Sequence, residues 1–343
     1  MKKIKMVYGW ILLSILLQCT VLSYINFIYL PGRGSIKATM YVIETVEVKD
    51  RKFKLPDEAS GITVSYDGLF VAYRQGDKLV IADMDKKKTL KTLEPLDGKF
   101  SYFRWLPDRE MLIYSIMEPE GQSGQVLIST YDIVPELERS YPEIKSLPKG
   151  SEIIDIELSP LTNIVYPVIK VDKDKTKIYK FDIMDNLKYI MSTNSSTVFK
   201  ETMYTDSLIY QTSDGKIRIR SGKTGKLSLI PVKEATLLLA TDDDDFIYTA
   251  ATDENGKIIA IFYGKTEQKA AEWQTVKLDQ PLSAADVYIT AEGAIYAADK
   301  QEKTIHALKG TGAAEYQGDL LMVLDSYAVS TDGGKLLLEV LKK

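Results

Sequence analysis

Cysteine and histidine are nearly missing from this chain, and their absence excludes whole classes of chemistry. Of 343 residues one is cysteine, Cys19, and one is histidine, His306. Cys19 lies in the apolar N-terminal run, so the rest of the chain can form no disulfide, thiolate nucleophile or cysteine-based metal site. A lone histidine rules out multi-histidine metal clusters and leaves a Ser-His-Asp triad one possible base. Positive charge is not in excess: 44 Lys and Arg stand against 48 Asp and Glu, a formal charge of −4, and no nucleic-acid partner is expected. There is no Gly-x-Ser-x-Gly nucleophile elbow. Ser221-Gly-Lys-Thr-Gly225 contains Gly-Lys-Thr, but a phosphate loop needs another glycine five residues earlier and a helix afterwards. Ile217 and an alternating strand pattern take those places, and no cofactor is expected.

What the chain does have begins with a long hydrophobic run. After Met1-Lys-Lys-Ile-Lys5, residues 6–30 carry no charge and as a helix would cover roughly 37 Å, against a hydrocarbon core of ~30 Å. Trp10 stands near one end, Tyr24 and Tyr29 toward the other, as interfacial aromatics do. Pro31-Gly-Arg-Gly34 stops the helix. The expected order is a cytoplasmic tail (1–6), a membrane-spanning helix (7–30), a linker (31–35) and one domain (36–343). A cleaved signal peptide is the rival reading, but its apolar region is shorter and ends at a small-x-small site, which does not precede Pro31. Lipidation at Cys19 is disfavoured, because Gln18 stands where a small residue belongs and apolar sequence continues beyond. Lys2, Lys3 and Lys5 tie in number with Arg33, Lys37 and Lys49, but cluster beside the short tail. That clustering places the tail in the cytoplasm and the domain outside the cell membrane.

From Ile36 onward short alternating strands replace any amphipathic helix, and one phrase recurs: strand, Asp-containing turn, then an apolar strand carrying a tyrosine. Clear copies are 62–73, 103–114, 156–166, 203–210, 239–248, 287–296 and 327–338. Their markers Tyr73, Tyr114, Tyr166, Tyr210, Tyr248, Tyr296 and Leu337 are spaced by 41, 52, 44, 38, 48 and 41 residues. Propeller blades repeat at about 40–50 residues. Asp67-Gly68, Asp97-Gly98, Asp214-Gly215, Asn255-Gly256 and Asp332-Gly333 supply the positive φ that tight hairpins need. The expected fold is therefore all-β: a β-propeller of seven blades, each a four-stranded antiparallel sheet. The last copy is read as having at most two strands. The alternating stretch Met40–Val48 is expected to complete it and close the ring, because closure removes exposed edges.

The phrases Val64-Ser-Tyr-Asp-Gly-Leu-Phe-Val-Ala-Tyr73 and Val329-Ser-Thr-Asp-Gly-Gly-Lys-Leu336 resemble the repeat of TolB-type, WD-like propellers, shared by the propeller domain of dipeptidyl-peptidase-type proteins. The resemblance spans most of residues 60–340 but brings no catalytic motif, and the Trp-Asp dipeptide of eukaryotic repeats is absent. It implies a propeller fold and a role in binding proteins or peptides, and no activity is carried over from it; the expected function is a membrane-anchored, extracytoplasmic, non-catalytic binding module for a protein, peptide or envelope component.

Asp242, Asp243, Asp244 and Asp245 form the one acidic run that could hold a calcium ion, a cation that takes several carboxylate oxygens. A solvated blade turn is the plainer reading of it. Asp172-Lys-Asp174 and Asp253-Glu-Asn-Gly256 lack the twelfth-position glutamate of an EF-type loop and read as hairpins. The long stretches 117–125 and 133–151 read as irregular insertions. A hydrolase or lyase with a channel site of carboxylates, tyrosines and His306 is the alternative to a binding module. It requires His306 to face the channel.

Overall fold

The turns set the architecture. At Gly68, Gly215, Gly256 and Gly333 the backbone has φ of +72°, +74°, +75° and +54°, so each Asp-Gly or Asn-Gly pair reverses the chain as the hairpins require. The computed structural model describes residues 2–25, 47–120 and 123–342. It divides into two units, Met1–Glu47 and Val48–Lys343.

In the first unit one helix runs over Lys2–Tyr24. Its large apolar side chains from Tyr8 to Tyr24 are exposed all round, Trp10 and Leu17 at 67% each. The expected span over residues 7–30 is not reached within the described part: no helix there is long and apolar enough to cross a membrane. The helix opens on Lys2, Lys3 and Lys5, and residues 26–30, which would extend its apolar run, lie outside the described residues.

The second unit is seven antiparallel sheets. Their first strands are Ala59–Val64, Lys99–Trp105, Glu152–Ser159, Val198–Glu201, Leu237–Thr241, Val287–Ile289 and Asp319–Val323. First strands of blades one to five touch in succession, as do those of blades six and seven, which makes the first strands the inner ones around the central channel. The second strands are Phe70–Gln75, Met111–Glu120, Ile164–Asp172, Leu208–Gln211, Ile247–Thr252, Ile295–Asp299 and Tyr327–Asp332. They are apolar on both faces because each sheet is covered by a neighbour on either side. Tyr248, Tyr296 and Tyr327 are among the largest fully buried side chains. All six tyrosine markers of the sequence fall on these second strands.

Four expectations change. The seventh phrase is one strand out of phase: its turn at Asp332-Gly333 joins Tyr327–Asp332 to Lys335–Val340, the second and third strands of the last blade. The turn equivalent to the others is Leu324-Asp-Ser326, between Asp319–Val323 and Tyr327–Asp332, and Tyr327 stands at the first residue of the second strand. The last blade thus takes three strands from the C-terminal side, not two. Ring closure is the second change. Residues 40–46 of the expected closing strand lie outside the described residues, and Arg51–Lys54 pairs antiparallel with Lys335–Val340 instead, Phe53 opposite Leu336. Residues 47–50 form no strand. The third change is that residues 117–120 and 123–125 belong to a long hairpin, with Glu120 opposite Ser123. Lastly, residues 137–140 and 144–148 both pair with Ser123–Asp132 and give blade two a fifth strand. Sheet pairing satisfies the backbone groups that an irregular loop would have left to water.

The closing strand alternates inward and outward: Arg51 and Phe53 are buried, Lys52 and Lys54 exposed. Phe53 and Leu55 pack with Val71, Tyr73, Leu336 and Leu338 in one cluster drawn from both ends of the domain. Phe53→Ala should cost about 3 kcal/mol, by lost burial and the cavity left behind. Lys52→Ala should stay within about 0.5 kcal/mol. Urea denaturation of the two variants, read as a shift in midpoint at constant slope, checks this contrast.

Candidate functional site

Inner strands show alternate residues to the channel, so charge placed at every second position converges on the axis. Blade two contributes Tyr102 and Arg104, blade three Asp155 and Glu157, and blade four Lys200, whereas Glu201 follows Lys200 in unbroken register and turns to the other face of its strand with Phe199. Lys200 Nζ donates to Glu157 Oε1 at 2.6 Å, and Arg104 Nη1 lies 3.9 Å from the same oxygen. Tyr102 donates its hydroxyl hydrogen to Asp155 Oδ1 at 2.9 Å. Burial tends to raise the Glu157 carboxyl, but Lys200 and Arg104 outweigh it and hold it below its ordinary value. Burial also raises Asp155, with Glu157 adding to the effect against Lys200 and Arg104.

Glu201 is different. It is 6% exposed and neither carboxyl oxygen has a hydrogen-bond partner. Burial pushes its pKa well above the usual carboxylate range, and Glu157 and Asp206 push it further. Its backbone carbonyl accepts from Thr241 Oγ1 at 2.8 Å, which fixes the strand while leaving the carboxyl free.

Arg104, Glu157 and Lys200 line a cavity of about 310 Å³ at the channel mouth, walled by inner strands of blades two to six and closed by Asp242, Asp243, Thr290 and Ala291 from turns of blades five and six. The acidic run therefore does not act as a unit. Asp242 Oδ1 accepts from the backbone N–H groups of Asp244 and Phe246 at 3.0 and 2.9 Å, and its Oδ2 from the Tyr248 hydroxyl at 2.7 Å. Asp245 accepts from the N–H groups of Tyr204 and Thr205 at 2.8 and 3.0 Å, tying blade five to blade four. Both are turn-building residues. Asp244 is exposed. Asp243 alone faces the cavity unoccupied by such bonds, its carboxyl pushed up to about 6 by burial and by Asp325 and Asp108 across the mouth. Among the described residues no group of three or more His, Cys, Asp or Glu is arranged to hold a metal ion. Asp253 is likewise spent on its own hairpin, accepting from the N–H groups of Asn255 and Lys257.

His306 stands on the third strand of blade six, opposite Ala297 and Ala313, with an exposed side chain away from the channel. A channel hydrolase using His306 as base is thereby overturned. Ser221–Gly225 is the hairpin between Ile217–Arg220 and Leu227–Leu229, and no helix follows it.

No family model matches the chain, and no curated protein matches it. Among solved structures, the β-propeller domain of Cps50 (Swd1) from Myceliophteria thermophila is similar with a TM-score of 0.53 and 14% identity, over 86% of this chain and all of that one. The fold is a β-propeller. Hsv2 from Kluyvelomyces marxianus aligns over 83% of this chain and 97% of its own at 14% identity, with a TM-score of 0.49. Identity this low establishes the fold alone. The finer likeness to TolB-type repeats rests on the turn phrases.

Two predictions follow from the channel charges. Glu157→Gln leaves Lys200 and Arg104 without their shared counter-ion in a buried setting. It should destabilise the domain by about 3 kcal/mol in chemical denaturation. Asp243 titrates near 6 in the folded domain and near 3.9 when unfolded, so between those values the folded state binds more protons. Its contribution to stability is present below pH ~4 and is lost as pH rises through 6. Asp243→Asn should therefore stabilise the domain at pH 7, by about 1 kcal/mol once solvent screening of this half-buried carboxyl is allowed for. The gain should vanish near pH 4, as thermal melts at the two pH values would show.

Proposed function

We propose that this chain is a membrane-tethered, extracytoplasmic, non-catalytic binding module that docks a protein or peptide on the end of the propeller formed by the turns after the first and third strands. The observation that carries this reading is where exposed apolar side chains collect. Tyr66, Leu161 and Tyr204 stand on turns after first strands, and Val134, Ile183 and Met184 on turns after third strands. All six belong to one end, because antiparallel neighbours return the chain to the same side. At the opposite end, the connections between strands carry one such residue, Leu96, among the described residues. Scattered exposed apolar residues need no explanation, but several at one end of a propeller, including two tyrosines, suit a protein interface. The same end bears the acidic mouth, with Asp108, Asp243 and Asp325 within electrostatic reach of one another. Charge of one sign steers a partner of the other.

Tethering is supported by the charge-free run 6–30 and by the exposed apolar side chains of the Lys2–Tyr24 helix. The extracytoplasmic side is supported by the lysine cluster at the tail.

The test is site-specific photo-crosslinking in membranes from cells expressing the full chain. A benzophenone residue replacing Tyr66 or Tyr204 should give discrete adducts, and one replacing Leu96 none. Adducts from Leu96 alone would sink the docking face. For the side of the membrane, a Leu96→Cys variant also carrying Cys19→Ser should react in intact cells with an impermeant maleimide. Protection there, with labelling only after lysis, would place the domain inside.

A further inference from the structure

Hydrocarbon fills the space between neighbouring blades, and between blades two and three it stops short of the surface. Met111, Tyr141 and Leu158 pack against the buried cluster of that interface but are only partly buried themselves. With the exposed Leu137 they wall a slot of about 220 Å³, and the buried Ile113 and Val165 close its floor. Register turns the blade-two side chains the same way, because Met111 lies opposite Asp132 and Asp132 opposite Leu137. The slot opens at the end of the propeller already read as the docking face. Leu106 and Arg109 come from the turn after the first strand of blade two, Pro160 and Asn163 from that of blade three. Exposed apolar residues gather around it: Val134 and Leu161 stand on the adjoining turns, and Ile183 and Met184 beside Asp185, to which Arg139 of the slot donates.

We infer that this slot receives one uncharged aromatic side chain from the protein or peptide that docks on this end. The inference rests on the docking reading and names the group that anchors the partner. Volume is the first argument. Small-molecule sites run upward of about 300 Å³, whereas an apolar cavity of about 150 Å³ already takes a benzene. At about 220 Å³ the slot has room for one ring system and little else.

Polarity is the second. Among the described residues, none of the buried side-chain atoms that lack a hydrogen-bond partner belongs to the slot, so its wall calls for no polar or charged group. Its charges are answered already. Arg109 pairs with Asp108 at 2.6 Å and Arg139 with Asp185 at 2.8 Å, while Asp132 Oδ1 accepts from the Val134 N–H.

The two cations favour a ring over an alkyl chain. Arg109 follows the inner strand and Arg139 lies on the outermost, so a guanidinium flanks the slot on the channel side and on the rim side. Arg139 already lies over the Tyr141 ring, 5.7 Å from its centroid. Guanidinium groups are drawn to the face of an aromatic ring, and Met111 and Tyr141 offer a thioether and a second ring to the same guest. An aromatic anchor in a pocket bordered by apolar contacts is where few residues carry most of an interface's affinity.

Fluoroindole is the probe, followed by fluorine NMR as it is titrated with the full-length protein in detergent. Leu137→Trp, which fills the slot from its exposed wall, measures uptake by the detergent itself. The expected result is saturable line broadening with the wild type and about tenfold weaker binding in Leu137→Trp. Arg139→Gln should bind about two- to fivefold more weakly, through the lost cation–π contact, and it decides the matter if Leu137→Trp does not fold. Unlabelled p-cresol should displace the probe at lower concentration than methylcyclohexanol does. No saturable binding, or equal binding by the wild type and both variants, overturns the inference. Equal displacement by methylcyclohexanol overturns it too, in favour of an aliphatic or lipid-chain occupant. In membranes, the adducts from a benzophenone at position 204 should fall about tenfold when Leu137→Trp is added. Undiminished adducts would sink the slot and leave the docking face standing. Fluoroindole binding without adducts from positions 66 or 204 would sink the docking face and leave the slot as an aromatic site.

Discussion

The propeller depends on a four-residue strand. Arg51–Lys54 lies against Lys335–Val340, nearly the whole domain away in sequence, and turns a row of blades into a ring. Before it closes, the last blade lacks its outer strand, and the first and last blades each expose an apolar face. Afterwards the Phe53, Leu55, Val71, Tyr73, Leu336 and Leu338 side chains share one cluster. Arg51 is the polar part of the latch. Its side chain is buried, donates to the Tyr327 hydroxyl and to Asp85 Oδ1, and lies over the Tyr327 ring. A buried guanidinium without those partners would be costly, so it favours one register of the strand over a slip by two residues that would keep the apolar pattern.

Closure also explains why the middle of the domain tolerates charge. Inner strands are short, they diverge from a common axis, and their channel-facing side chains cannot fill the space with hydrocarbon. Charged side chains with long stems fill it, provided each finds a counter-charge. Lys200 and Arg104 around Glu157 do so, and Tyr102 with Asp155 extends the network. Such a network specifies the channel more than it stabilises the domain, because desolvation offsets most of the attraction.

The fold was legible because its signals are local. An Asp-Gly turn needs positive φ and a covered strand needs apolar residues on both faces, and both are visible in a dozen residues. The misread features depend on relations between distant segments. The phrase at 327–338 matches the others in residue type, since a hairpin between second and third strands uses the same Asp-Gly chemistry as one between first and second. Only pairing reveals its phase. Met40–Val48 alternates better than Arg51–Lys54, yet it is the buried side of the latter that meets Leu336 and Leu338. The channel site was harder still. Phe103-Arg-Trp105 and Ile156-Glu-Leu158 lie within the quoted repeats, but a charge at alternate positions of a strand reads as solvent-facing until that strand is known to be innermost. A charged residue at the same alternate place in several first strands was the signal available.

The acidity of the mouth has two origins, and separating them decides which residues bear on function. Most of its carboxylates are there because aspartate builds turns. Asp67 caps its own turn through the Leu69 N–H, Asp242 does so through Asp244 and Phe246, and Asp245 and Asp325 take N–H groups from the adjoining blade. Each spends at least one oxygen on such a bond, and a family of propellers with the same turns would carry the same negative rim whatever it bound. Asp108 is neutralised by Arg109 beside it at 2.6 Å. Two carboxyls escape this account. Asp243 is lifted to about 6 by its crowded neighbours and Glu201 is sealed in without a partner, so both are held where ionisation is unfavourable. No turn or interblade link requires either side chain. Local rules of this kind are broken at few positions in a folded domain, and these two are where the turn-building account of the acidic residues stops.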